Sequence, residues 1–321
     1  MTKDKPSNLL HAANYSIVMD LIGFSQAKLA GLRDHWDDLI FTNSPITSEL
    51  SLVQNTLKVS EDQICASIAK VKAAFEQINF EDLNLVTIRD DIYPKLLAGI
   101  ARPPLVFFAR GNLNLLNTSC VSVVGSRQAS ADAIKRAQKV SVILSSAGYT
   151  VVSGLAKGID TAAHQATLKS DGQTIGVIGT PITQAYPREN AQLQERLATE
   201  QLLISQFPLN QPVSKFNFPT RNFTMSGMSI ATIIVEASET SGALHQATAS
   251  MNEGRLLFIM KSILSNKNLT WPSRFIEKGA IILDSPETLL DSLYSRLESK
   301  PIHKSVPVLQ QLSVFQNVVN D

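Results

Sequence analysis

Residues 120–130, CVSVVGSRQAS, decide the fold. Cys120 to Val124 offers no charged position and alternates no polar face, so it reads as a strand covered on both sides, as in a parallel sheet. Gly125 lets the chain turn sharply and approach a ligand. The helix expected next, over 130–147, begins with unpaired N–H groups and the positive end of its dipole, which together favour an anion. Arg127 stands where a dinucleotide-binding GxGxxG would place a glycine against pyrophosphate. The second strand ends in Ser153-Gly154, where a nicotinamide protein offers an acid to the ribose. Both features argue against a dehydrogenase.

Outward from this point the pattern repeats. Short apolar runs at 150–152, 174–178, 202–204, 232–235, 256–259 and 280–283 alternate with amphipathic stretches at 160–170, 242–253 and 271–279. Buried strands separated by helices predict an α/β, Rossmann-like, mainly parallel sheet with helices on both faces. Upstream, Pro94, Pro103 and Pro104 punctuate the chain, and Leu105 to Phe108 suits an edge strand. Residues 1 to about 85 read as a small helical module. Ile17, Leu21, Phe24, Leu29 and Leu32 recur near helical spacing, as do Ile64, Ile68, Val71 and Phe75, and Asn43-Ser44-Pro45 separates the two groups. Three parts are therefore expected: 1–85 helical, 86–298 Rossmann-like, and 299–321 a linker with a short amphipathic helix. That helix carries Val308, Leu312, Phe315 and Val319 and either packs back on the body or meets a partner.

Of the 321 residues 44% are hydrophobic and 18% charged, a globular balance, and the net charge is +1. A polyanion must then be met by a local cluster of Lys and Arg. Cys65 and Cys120 lie far apart without a CxxC, which predicts neither a disulfide framework nor a zinc site. Neither a signal peptide nor an apolar run of membrane-spanning length is visible, so a cytoplasmic protein is expected.

Open α/β sheets bind ligands at the carboxyl ends of their strands. Gly125, Ser126 and Arg127 fall there. So do Ser153, Gly154, Lys157 and Gly158, with Asp160 placed to cap the following helix. Gly179 to Asn190 contains Tyr186-Pro187-Arg188, and Phe216 to Asn222, a turn before the fifth strand, brings Phe218, Arg221 and Asn222. Ser241-Gly242-Ala243 opens another helix. Cations that track a backbone, with aromatics for bases to stack on, suit single-stranded nucleic acid. On the residues alone a nucleic acid and a nucleotide stay equally open. Glu236, at a strand end, is either a general acid or base or an acceptor that orders its loop. His164, one turn after Asp160, permits a pair on one face but reads as a satisfied helix histidine beside a capping Asp160, and His245 near Ser241 lacks a third group to orient it. No metal spacing, cofactor or catalytic residue is expected.

From about Tyr93-Pro94 to Leu290 the chain resembles the DprA/Smf family of DNA-processing proteins. The resemblance rests on PPLVFFARGNLNLL, VVGSRQAS, VVSGLAKGIDTAAHQATL, GQTIGVIG, AYPREN, FPTRN, SGMS, IIVEAS and SGALHQA, in family order. It implies a Rossmann-like core, single-stranded DNA binding, and delivery of the strand to a RecA-type recombinase from a homodimer. It also implies strand contacts from Arg127, Lys157 and Arg221, without a catalytic reaction. Some positions depart from the family. Phe223 replaces the second basic residue of FPxRNR, Gln206 the usual Glu, and SGALHQ, with His245, the usual SGSLIT. Met260-Lys261-Ser262 and SNKNLTWPS replace a Val-Pro-Gly turn and a glycine-rich loop, and 299–321 leaves no room for a winged helix. A divergent member could instead serve a mobile element or phage defence, for example as antitoxin to a cognate toxin. A nucleotide-binding, phosphoribohydrolase-like protein is the remaining alternative.

Overall fold

The computed structural model describes residues 5–76 and 82–298. The amphipathic helix expected in the tail lies outside the described residues. The strands are β1 (Leu83–Thr87), β2 (Val106–Gly111), β3 (Cys120–Val124), β4 (Thr150–Ser153), β5 (Thr174–Val177), β6 (Leu202–Ser205), β7 (Ala231–Ile234), β8 (Leu256–Met260) and β9 (Ile281–Leu283). They form one nine-stranded sheet in the order β1-β2-β6-β5-β4-β3-β7-β8-β9. From β6 to β9 every neighbouring pair is parallel, and β1 and β2 are joined antiparallel at one side.

The apolar runs became strands because each has side chains to bury on both faces. In β6, Leu203 joins the N-terminal helices, while Leu202 and Ile204 point to the opposite face. Helices 131–146, 159–169 and 286–298 cover the first face around Val121, Val123, Val151 and Phe258. Helices 217–228, 243–252 and 271–277 cover the second around Ile175, Ile204, Ile259 and Trp271. Each buried Val, Leu, Ile or Phe contributes roughly 1.5–3 kcal/mol.

Two expectations need correction. Val106 to Phe108 of the expected run 105–108 belong to β2, which is not an edge strand, because β1 lies outside it. Phe216 to Asn222 is not a turn: residues Asn217–Met228 are helical. Pro219 does not prevent this, since a proline in the first turn of a helix removes no hydrogen bond that the helix would otherwise make.

The N-terminal helices join the sheet. Tyr15 lies against Phe108 of β2, with ring centroids 5.7 Å apart, and the 85/86 boundary expected from the sequence falls inside β1. Among the described residues no helix is long and apolar enough to cross a membrane. After β3 the chain steps through β4, β5 and β6 to one side, then returns to place β7 on the other side of β3. The crevice outside the carboxyl ends of β3 and β7 is thus the point where the winding reverses, which is where such sheets hold ligands.

Candidate nucleic-acid interface

Two of the backbone anion seats at this crevice are taken by the chain's own carboxylates. Glu236, just past β7, reaches the start of helix 131–146. The Ser130 N–H donates to Oε1 at 2.9 Å and its hydroxyl donates to Oε2 at 2.7 Å. The Ser130 hydroxyl in turn accepts from the Ala133 N–H at 3.2 Å and caps the helix. Gly125 makes the approach possible, for a Cβ there would stand 2.7 Å from the Glu236 carbonyl. Behind it, Asp160 does not cap its own helix. Its Oδ2 turns back to accept from Gly154 N–H (3.2 Å) and Ala156 N–H (3.4 Å). Burial pushes the Asp160 carboxyl upward, opposed by the charge of Arg221 and by those N–H groups. Gly158 holds this turn at φ +76°, with its Cα against the Ser126 carbonyl, where no side chain fits.

The start of a third helix lies at the same crevice. Residues 243–252 begin at Gly242, which is exposed and has no neighbour within 4 Å of where a Cβ would stand. The Ser241 hydroxyl accepts from Ala243 N–H at 3.3 Å, and Asn222 Nδ2 donates to the Gly242 carbonyl at 3.2 Å. This start faces a groove of about 640 Å³, lined also by Gly125, Ser126, Arg127, Lys215, Phe218, Arg221 and His245. Asp160 is the only carboxylate among the lining residues, against three cations. The rim is positive although the chain carries a net charge of only +1.

The cations are not equivalent. Arg221 is buried, 4% exposed. Its Nη1 donates to the carbonyls of Gly154 and Val177, and its Nε to Asn222 Oδ1 at 2.9 Å. Burial brings its pKa down to about 10. Arg127 is exposed, and among the described residues no carboxylate lies within ion-pair distance of it. Its guanidinium sits 5.3 Å over the Phe218 ring, and Phe218 meets the half-exposed Tyr186 at 5.2 Å. The three form a contiguous row, the two rings tilted by 45° to each other. Beside it, Gly154, Lys157 and Pro187 wall a recess of about 70 Å³ that shares Arg127, Tyr186, Phe218 and Arg221 with the groove. Lys157 pairs with Glu189 at 2.7 Å, both exposed.

A family model described as DNA recombination-mediator protein A matches residues 84–294, more than half of the chain. The chain belongs to this family. It is 33% identical to the DNA processing protein DprA of Bacillus subtilis over 241 residues, which are 75% of this chain and 80% of the relative. The X-ray structure of DprA from Streptococcus pneumoniae superposes with a TM-score of 0.68 at 30% identity, covering 87% of this chain and 97% of that one. The structure of DNA processing protein A from Helicobacter pylori, reported for its single-stranded DNA binding mode, reaches 0.58 at 24% identity and covers 66% and 96%. At that identity the likeness is one of fold.

The positions at which this DprA-family chain departs from the usual motifs have places in the structure. Phe223 is exposed on helix 217–228, whereas Gln206 is buried and accepts from the Thr224 hydroxyl. His245 is exposed at the groove wall, and among the described residues no hydrogen bond joins it to Ser241. In the SNKNLTWPS loop, Thr270 and Trp271 donate their N–H groups to Glu239.

Of the residues singled out from the sequence, Gly125, Ser126, Arg127, Phe218, Arg221, Asn222, Ser241 and Gly242 line the groove, and Gly154 and Lys157 line the recess. Ser153 does neither: buried, it donates to the Val123 carbonyl at 2.7 Å. Gly158 shapes the turn, and Arg188 is exposed beyond both linings. His164 is a core residue. Its Nδ1 and the Thr174 hydroxyl share a hydrogen bond of 2.8 Å, and that hydroxyl also lies 2.8 Å from the Val151 carbonyl. Sequence reading missed Lys215 and Glu189, since a single charge on a loop or on a one-turn helix at 188–190 leaves no periodic signal.

Proposed function

We propose that the groove holds the backbone of single-stranded DNA non-catalytically, for delivery to a recombinase from a homodimeric protein. The observation that carries the reading is the row Arg127–Phe218–Tyr186 along a groove lined by three cations. A guanidinium with no carboxylate partner among the described residues suits a phosphate, and the exposed Tyr186 ring with the partly exposed Phe218 suits unpaired bases, whose π-faces need no particular sequence. Family membership and the Helicobacter pylori protein's reported binding mode support the same polymer. Recombinase delivery and the dimer rest on the family resemblance. Non-catalysis rests on the commitments of the polar groups. Both Glu236 oxygens accept from Ser130, and the Ser241 hydroxyl accepts from a backbone N–H instead of facing a base.

Fluorescence anisotropy of a labelled oligothymidylate, titrated at several salt concentrations, tests it. Tight binding that weakens steeply with salt is expected. Arg127→Ala should weaken it for every sequence and reduce the salt slope by about one. Phe218→Ala should cost about 1–3 kcal/mol of binding if a base stacks there. Absence of binding at low salt, or binding indifferent to salt, would overturn the reading.

A further inference from the structure

We infer that the cleft of about 240 Å³ at the carboxyl ends of β8 and β9 is a docking site for an acidic protein segment with an apolar anchor. It shares no lining residue with the groove of Arg127. Its floor is aliphatic, with Val140 and Ile143 from helix 131–146, Leu283 from β9, and Leu289 from helix 286–298. Arg136, Lys139 and Lys261 stand over that floor. Lys261 lies 3.7 Å from Asp284, but among the described residues Arg136 and Lys139 have no carboxylate within ion-pair distance. The Arg136 Nε is buried without a hydrogen-bond partner. Such a group costs free energy until something accepts from it.

The chemistry selects among occupants. A single strand is a poor fit, because bases need rings to stack on, and this lining has none, unlike that of Tyr186 and Phe218. The chain's own residues 299–321 carry Lys300, His303 and Lys304 against one acid, Asp321, the wrong sign for a cationic rim. A peptide with carboxylates flanking a leucine-sized side chain satisfies both parts. The apolar group seats on the floor and the carboxylates meet Arg136, Lys139 and Lys261.

The test uses the full chain and a fluorescein-labelled peptide in which aspartates alternate with leucines. Saturable binding is expected, with hydrogen-exchange protection appearing over 136–143 and 283–289. Lys139→Glu, a change at an exposed position, should weaken the peptide by about fivefold or more while leaving oligonucleotide binding as it was. Arg136→Ala should act in the same direction. The inference falls if the peptide does not saturate, or if a lysine-for-aspartate version binds as well. It also falls if an oligonucleotide displaces the peptide, or if removing 299–321 is what first permits binding, for then the strand or the tail is the occupant.

Discussion

Arg127 and Arg221 carry the same group and answer to different physics. Arg127 is exposed, so Arg127→Ala should leave thermal stability unchanged while binding falls. Arg221→Ala removes the cation facing buried Asp160, and stranding a buried charge costs about 3–5 kcal/mol. A large drop in denaturation midpoint, partly restored by Asp160→Asn, is the expected result. Glu189 competes with phosphate for Lys157, so Glu189→Gln should tighten oligonucleotide binding by about threefold, and the gain should vanish in a Lys157→Ala background. His164 gives a pH signature. Burial lowers its pKa from 6.5 to about 3, so below pH 6.5 the unfolded chain takes up a proton that the folded chain refuses. Stability from this residue is whole above pH 6.5 and is lost toward pH 3, by up to about 1.4 kcal/mol per pH unit. Urea midpoints across that range should fall less steeply in His164→Gln. The sequence shows which residues are basic and that they cluster near strand ends. That Arg221 points inward depends on helix 217–228 starting at Asn217, and a proline at 219 hides that start.

At the scale of elements, short apolar runs announced β3 through β9, because strands buried on both faces, as β3 to β7 are, carry no charge and only small polar residues such as Ser122, Thr150 and Thr232. Strand β1 gave no such sign. Its five residues include Asn84, and it follows a stretch of helical spacing, so its pairing with β2 is set by tertiary contact. The filling of helix starts was equally hidden. Glu236 and Ser130 lie over a hundred residues apart, and no local pattern joins them. Because that carboxylate faces a helix N-terminus, Glu236→Ala should lower stability by about 1–2 kcal/mol, read as a shift in midpoint at constant denaturant slope. An unchanged midpoint would mean that water serves the cap as well.

For the molecule as a whole, the N-terminal helices and the sheet share one apolar cluster running from Tyr15, Trp36 and Leu39 to Phe108, Leu197 and Leu203. A chain begun at residue 82 would bare that face of β2 and β6. It should bind a hydrophobic dye and aggregate, and a stable, monomeric, dye-negative fragment would contradict the shared cluster. The internal carboxylates reach further still. A lone phosphate or nucleotide, arriving at the crevice where this architecture ordinarily lodges one, meets Glu236 and Asp160 already seated. If the groove holds a strand as proposed, seats already filled from within favour a ligand that touches several points of the rim over a lone anion, and inorganic phosphate should not displace a bound oligonucleotide.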